Sequence, residues 1–265
     1  MSSLKYKIKK LIGRGPKYGF FGFYASWQDA QKASSGWQAV NVLEKVSAAL
    51  EKVKNGEAVY ERDSVLFDKI QYSWPLLALL LRVANENGGV LRVADFGGSL
   101  GTTYFQNREF LAGLKKIEWN IIEQENYVRR GNELFKNDIL NFFASIDEML
   151  KSKTKPDVLL VSSIIQYLEK PFEMVSKFIA ADFDYIVFDR TSFISAPEHR
   201  IAIQKVKPSL YEAAFPIWFF NYAKFLNPFL EKYQLIAEFP AFIASEYQIS
   251  GIRGGDRGFI LSRKQ

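Results

Sequence analysis

The stretch that most constrains the fold is residues 90–106, Val-Leu-Arg-Val-Ala-Asp-Phe-Gly-Gly-Ser-Leu-Gly-Thr-Thr-Tyr-Phe-Gln. Val90 to Ala94 is a short apolar run with β-branched members, the composition of a buried strand. Asp95 ends it, and Gly97-Gly98-Ser99-Leu100-Gly101 makes a glycine-rich turn. From Thr102 to about Leu114 the residues favour a helix. Strand, glycine turn and helix together form a unit that binds nucleotide-like ligands. Glycine lets backbone approach a ligand with no Cβ in the way. The helix start adds free N–H groups and a partial positive charge.

Two spacings compete for this turn. The dinucleotide pattern G-x-G-x-x-G fails, because Phe96 stands where its first glycine belongs. The pattern D-x-G-x-G-x-G fits on Asp95, Gly97, Ser99 and Gly101, with serine in the middle position. It resembles the first motif of class I S-adenosylmethionine-dependent methyltransferases. Serine there costs little if its φ is negative. A second signal lies downstream: Trp119-Asn120-Ile121-Ile122 reads as the next buried strand and ends in Glu123. An acid at that strand tip can accept hydrogen bonds from both ribose hydroxyls of a nucleoside.

Composition removes several function classes. The chain has no cysteine, which excludes disulfides, zinc ribbons and thiol nucleophiles. Its one histidine, His199, excludes a histidine metal cluster, and no dense acidic motif suggests a metal site. No secretory leader is evident, and no apolar run approaches the ~18–20 residues needed to span a bilayer. The expected location is cytoplasmic. Formal net charge is +6. Lys5, Lys7, Lys9, Lys10, Arg14 and Lys17 supply all six units, so the remainder of the chain is neutral. A nucleic-acid partner, which calls for a broad basic face, is therefore not expected.

Along the chain, residues 1–17 form a basic amphipathic segment, with Leu4, Ile8, Leu11 and Ile12 at helical spacing. Residues 18–40 are aromatic and glycine-rich, too irregular for one element. Ser26 there is a candidate N-cap for a helix starting at Trp27. Asn41–Lys54 and Tyr72–Ala84 read as amphipathic helices, the second with Pro75 in its first turn. After Glu123 the reading alternates: helix Asn126–Phe135, strand Leu140–Phe143, helix Ser145–Lys151, strand Asp157–Val161, helix Pro171–Ala180, strand Tyr185–Asp189. Residues 190–230 change texture, with four prolines and many aromatics. Gln234–Phe239 and Phe259–Ser262 close the chain as an antiparallel pair of strands.

This alternation implies right-handed crossovers and an α/β, doubly wound parallel sheet whose carboxyl ends form the ligand crevice. Three divisions follow: the basic segment 1–17, a helical extension 18–88, and a ligand-binding domain 89–265 with an insertion at about 190–230.

The glycine turn with Tyr104-Phe105-Gln106, the segment Trp119 to Gln124, and Ser162-Ser163-Ile164-Ile165-Gln166-Tyr167-Leu168 carry a narrower resemblance. With Asp189-Arg190-Thr191 and the aromatics around Trp27 and Trp37, they resemble a family of bacterial methyltransferases. Members of that family lie among genes for surface-polysaccharide or lipopolysaccharide assembly, and their substrates are largely unassigned. The resemblance implies a Rossmann-like, seven-stranded, mostly parallel sheet with an antiparallel edge strand, and S-adenosylmethionine as cofactor. It implies that Asp95, Gly97, Gly98, Ser99 and Gly101 hold the methionine and ribose side of that cofactor, and that Glu123 takes the ribose hydroxyls. Ser145 or Ile146 stands where many class I enzymes place an adenine-contacting Asp. Ser162, Ser163 and Gln166 would border the sulfonium and the acceptor.

The implied reaction is methyl transfer to a small-molecule or glycan acceptor, a sugar or glycolipid intermediate of surface polysaccharide. A sugar hydroxyl profits from a general base, and the candidates are Asp189 and His199. Arg190, Gln204 and Tyr211 are candidates for binding a polar or anionic acceptor. Two other classes compete: a nicotinamide-dependent sugar oxidoreductase, weakened by the missing first glycine, and a non-catalytic scaffold of a glycan-assembly complex, against which the intact turn and Glu123 argue.

The basic segment predicts peripheral contact with an anionic membrane face. At about 1 kcal/mol per basic residue near such a surface, attachment is weak and salt-sensitive. Deleting residues 1–17 is expected to abolish co-sedimentation with anionic liposomes; a full-length protein that ignores such liposomes would refute the idea.

Overall fold

The structure, a computed structural model, describes residues 17–34, 39–207, 213–243 and 245–265. The basic segment up to residue 16, Trp37 and Tyr211 lie outside the described residues. Ahead of the glycine unit come strand β1 (Gly19–Tyr24), helices α1 (Trp27–Lys32) and α2 (Ala39–Lys54), the hairpin β2 (Tyr60–Arg62) and β3 (Val65–Phe67), and α3 (Trp74–Glu86). The alternating part follows: β4 (Val90–Phe96), α4 (Thr102–Leu111), β5 (Lys116–Ile122), α5 (Glu125–Leu134), β6 (Leu140–Phe143), α6 (Ile146–Ser152), β7 (Val158–Ser162), α7 (Pro171–Ala181) and β8 (Tyr185–Ile194). The last third holds β9 (Arg200–Lys205), β10 (Ala214–Phe219), α8 (Tyr222–Leu226), β11 (Tyr233–Pro240), β12 (Glu246–Ile249) and β13 (Ile252–Arg263).

The main sheet has the order β11-β13-β8-β7-β4-β5-β6, with β12 added on β13. The five strands from β6 to β8 are parallel. β13 runs antiparallel to β8 and to β11, so the expected antiparallel pair closes the sheet. The chain order reverses between β4 and β7, which leave in opposite directions from one point. That switch point opens a crevice at the carboxyl ends of the strands, and the glycine turn sits there.

The strands are buried on both faces. Val158, Leu159, Leu160 and Val161 are each fully inaccessible, as a continuous apolar run in a parallel sheet requires. One face packs under α2 and α3 through Val46, Leu50, Val53, Leu76, Leu80 and Val83. The other packs an aromatic cluster, with Phe188 against Phe225, Phe229 and Phe259 at 4.8–5.5 Å between ring centroids.

Residues 19–24, within the stretch that sequence reading leaves irregular, form β1. It pairs with β9, and β9 with β10, as a separate antiparallel sheet. The aromatic extension and the 190–230 insertion are thus one layer in space. Trp27 stacks on Trp218 in that layer, and Trp218 donates through Nε1 to the carbonyl of Leu168, beside the crevice. Ser26 caps α1 as expected, accepting from the Asp29 amide at 3.1 Å. Among the described residues no helix is long and apolar enough to cross a membrane.

β13 extends much further towards its start than its apolar residues announce. Gly254 and Gly258 occupy places where a Cβ would collide with the rings of Tyr247 and Phe239 and with backbone of β8. Aromatic rings laid across strand glycines supply the missing packing. Gly131 on α5 has the same relation to the ring of Phe142 on β6. Gly131→Ala should therefore overpack this contact and destabilise the fold by about 1–3 kcal/mol, measured by urea denaturation. An unchanged midpoint would show that the α5–β6 contact is loose.

Candidate functional site

The turn after β4 is held by its own sequence. Asp95 is 1% exposed, and its Oδ2 accepts the indole N–H of Trp119 from β5 at 2.9 Å. Gly98 lies directly over this carboxyl: a Cβ there would stand 2.5 Å from the Asp95 carboxyl carbon. Gly97, with φ +72°, packs equally closely on Ile164 from the loop after β7. Gly101, at φ +102°, closes the turn by donating its amide to the Gly98 carbonyl and accepts the first bond of α4 from the Phe105 amide. The amides of Thr102, Thr103 and Tyr104 precede that bond, have no partner within the helix and face the crevice end of the turn.

Ser99 departs from expectation. Its φ is +56°, in the left-handed region, where a non-glycine residue costs about 1–2 kcal/mol. The conformation aims its amide at Glu123, whose Oε1 accepts it at 3.3 Å, while Oε2 accepts the Gln124 amide at 2.9 Å. The acid at the tip of β5 is thus tied to the middle of the glycine turn. Burial pushes its carboxyl above the ordinary value, against the pull of those two amides.

Across the switch point, Ser162 ends β7 and Ser163 follows with φ +57°. The Ser163 amide bonds the Asp189 carbonyl at 3.0 Å. Arg190 follows Asp189 on β8, also left-handed, at φ +49°. Its Nε donates to Ser162 Oγ at 3.3 Å and its guanidinium lies 5.6 Å from the Phe242 ring centre. Gln166, buried in the short 3₁₀ turn Ile165–Tyr167, donates through Nε2 to the Arg190 carbonyl at 3.0 Å. Tyr167 beside it donates to Gln204 Oε1 at 2.9 Å and so joins the crevice to β9.

Other candidates carry structural duties. Asp189 is 1% exposed; its Oδ1 accepts the Arg190 amide at 2.9 Å and so supports the left-handed turn there. Burial raises its pKa. The ring of His199 packs on Phe172 and Phe220 in the outer layer, where Nδ1 accepts the Asn221 amide at 3.0 Å. Burial lowers its pKa, and the charges facing it are Lys224 and Glu198, not the carboxylates of the crevice. Ser145 caps α6, accepting the Glu148 amide at 3.1 Å, while Glu148 reaches back to the Ala144 amide. Ser-x-x-Glu is a capping signature that the sequence displays.

One residue of this site escaped the sequence reading. Glu61 on β2 is 1% exposed and accepts from Thr102 Oγ1 and from the Ser64 amide, both at 2.7 Å. It pins the β2–β3 hairpin onto the first residue of α4. Its only sequence signal was a two-residue turn, Asp63-Ser64, and both residues adopt positive φ. A cavity of about 550 Å³, lined by Tyr104, Arg108, Lys116 and Ile139 among others, lies at the amino ends of β5 and β6. That is the wrong end of the strands for a ligand held by the glycine turn.

No protein-family model matches the chain, and no curated protein matches it. Solved structures share its chain path. One is the N-terminal domain of EvdMO1 in the presence of SAH and D-fucose, at 10% identity and TM-score 0.47 over 87% of this chain and 98% of that one. Another is the 1,6-didemethyltoxoflavin-N1-methyltransferase of Burkholderia thailandensis with bound 1,6-didemethyltoxoflavin and S-adenosylhomocysteine, at 10% identity and TM-score 0.44 over 93% of this chain and 94% of that one. A third is the magnesium protoporphyrin IX methyltransferase of Synechocystis PCC 6803 with bound SAH, at 13% and 0.43 over 72% and 81%.

Burial makes the crevice carboxyls pH-sensitive. It pushes Asp95 from 3.8 to about 7 and Glu61 from 4.5 to about 7. Between about pH 4 and 7 the folded state therefore holds protons that the unfolded chain has released, and stability falls as pH rises. The slope approaches about 1.4 kcal/mol per pH unit for each group. Asp95→Asn and Glu61→Gln should each flatten the fall in unfolding midpoint across this window. Parallel curves for variants and wild type would contradict these assignments.

Proposed function

We propose that the protein is an S-adenosylmethionine-dependent methyltransferase acting on a sugar or glycolipid intermediate of surface polysaccharide. The observation that carries the reading is the pairing of Glu123 with the glycine turn. An acid fixed on the Ser99 amide stands beside a turn whose glycines admit no side chain and whose following helix offers three unpaired amides. This donor set suits an adenosyl amino acid. A carboxylate retains lone pairs for a ribose diol, and amides and the helix dipole favour an anionic group.

The topology disfavours the nicotinamide alternative. A classic dinucleotide sheet runs 3-2-1-4-5-6 with every strand parallel, whereas here antiparallel β13 follows β8. Arrangement of the crevice around an acid and an intact turn likewise favours a ligand-binding enzyme over a scaffold.

Bound there, S-adenosylmethionine supplies a methyl group on a good leaving group. What the chain must add is alignment, and positioning can supply several kcal/mol, up to ~7–11. In this proposal Glu123 orients the ribose, and the turn from Gly97 to Gly101 with the start of α4 holds the amino-acid portion. Ser162, Ser163 and Gln166 border the acceptor, with Arg190 beside them and Gln204 behind Tyr167. Asp189 serves as a positioning residue, through the Arg190 turn.

Calorimetric titration tests the reading. S-adenosylhomocysteine should bind in the micromolar range and NAD should not. Glu123→Ala should weaken S-adenosylhomocysteine by about 10–100-fold, the worth of charged hydrogen bonds at about 1.5–3 kcal/mol, with the protein still folded by circular dichroism. Preference for NAD, or unchanged affinity in the variant, would overturn it.

A further inference from the structure

Arg190 is a cation at the crevice, and among the described residues its guanidinium forms no ion pair. Four buried carboxyls feel it: Glu61, Asp95, Asp189 and Asp256. Each is nonetheless raised above its ordinary pKa, because desolvation outweighs the attraction. None forms an ion pair with the guanidinium, whose single hydrogen bond among the described residues runs from Nε to Ser162 Oγ. The two terminal nitrogens, the prongs of a planar fork, have no protein acceptor there.

The fork is nevertheless fixed. The Ser162 bond holds Nε, the guanidinium carbon stands over the Phe242 ring at 5.6 Å from its centre, and the backbone is set by the Asp189 carboxyl and by Gln166. A side chain held on three sides with its donor prongs unpaired is preorganised for an oxyanion, which guanidinium binds through two parallel N–H···O bonds. A second observation points the same way. Gln166 is 1% exposed; its Nε2 is used on the Arg190 carbonyl, but its Oε1 is buried with no hydrogen-bond partner. A buried unpaired acceptor costs about 1–3 kcal/mol, and a ligand hydroxyl would satisfy it.

We propose that Arg190 and Gln166 form an acceptor subsite for a hydroxylated anion, a sugar bearing a carboxylate or a phosphate, with Arg190 gripping the oxyanion and Gln166 Oε1 accepting a neighbouring hydroxyl. This rests on the methyltransferase reading and narrows its substrate class. An acceptor without the negative charge would leave the fork unpaired in a partly desolvated place, so the subsite discriminates against neutral sugars.

The test uses the full chain saturated with S-adenosylhomocysteine, titrated with methyl glucuronide, glucose 1-phosphate and methyl glucoside. The anionic sugars should raise the unfolding midpoint and the neutral one should not; a response to only one of the two names the source of the oxyanion. Arg190→Gln should lower affinity for the responding sugar at least about tenfold, and Arg190→Lys, which keeps the charge but loses the fork, should fall between. Both variants should bind S-adenosylhomocysteine like wild type. Equal response to the neutral sugar, no response to either anion, or an unaffected Arg190→Gln would overturn the proposal. So would a variant that loses S-adenosylhomocysteine but keeps 5′-methylthioadenosine, for then Arg190 serves the cofactor's carboxylate. Should wild type bind no S-adenosylhomocysteine, the methyltransferase reading fails. The same sugar titration on the protein alone then decides the anion subsite separately.

Discussion

The bond from the Trp119 indole to the Asp95 carboxyl is the contact on which the crevice is built. A carboxyl this deeply buried has to be hydrogen-bonded, and the adjacent strand brings the donor, Trp119. Trp119 pairs with Val93 in the parallel register, two residues before Asp95, so its side chain reaches forward along the sheet. The carboxyl then fills the space above it, which is why Gly98 has no room for a Cβ. Turn, strand pair and helix start are fixed together by one polar contact under the glycines. Asp95 is thereby a support of the turn, and the face offered to a ligand is backbone.

Sequence periodicity located the parallel strands and their helices because each is a local pattern. An apolar run such as Val158–Val161 can only be buried, and Ser145 with Glu148 announces a helix start whatever lies around it. Structure that rests on partners distant in the chain was invisible. β1 reads as loose aromatic sequence until β9, some 180 residues on, supplies its hydrogen bonds. The start of β13 has no apolar pattern to read, and its glycines are covered by Tyr247 and Phe239. Ser250-Gly251, the turn that joins β12 to β13 with both residues at positive φ, was the one local signal there.

Site legibility divides along the same line. That the glycine turn and Glu123 lie together was readable, because strand ends and spacing place both at one end of adjacent strands. Hydroxyls and imidazoles were not, since their duty depends on what they meet. His199 has the right chemistry for a base but faces Phe172, Phe220 and the Asn221 amide. Ser145 has a hydroxyl in the right place, already used by α6. Glu61 had no motif, and it becomes a crevice residue only through a hairpin that folds it against Thr102.

Backbone strain picks out the same crevice without reference to any motif. Ser99 and Ser163 follow β4 and β7, Arg190 lies within the neighbouring β8 just past its last pair with β7, and all three are non-glycine residues at φ between 49° and 57°. Each such residue costs of order 1–3 kcal/mol and persists only where surroundings over-determine it. The surroundings here do so with named bonds: Ser99 amide to Glu123, Ser163 amide to the Asp189 carbonyl, Arg190 amide to the Asp189 carboxylate. Glycine at these positions would relax the turns more cheaply, as it does at Gly97 and Gly101. At Arg190 the reason for a side chain is visible, since the strained backbone turns a guanidinium towards the switch point where Ser162 and Phe242 hold it. Strain on three adjacent strands is thus the cost of pointing one amide at Glu123 and one cation at the switch point. The crevice between them is bounded by one strained amide on the β4 side and one held guanidinium on the β8 side.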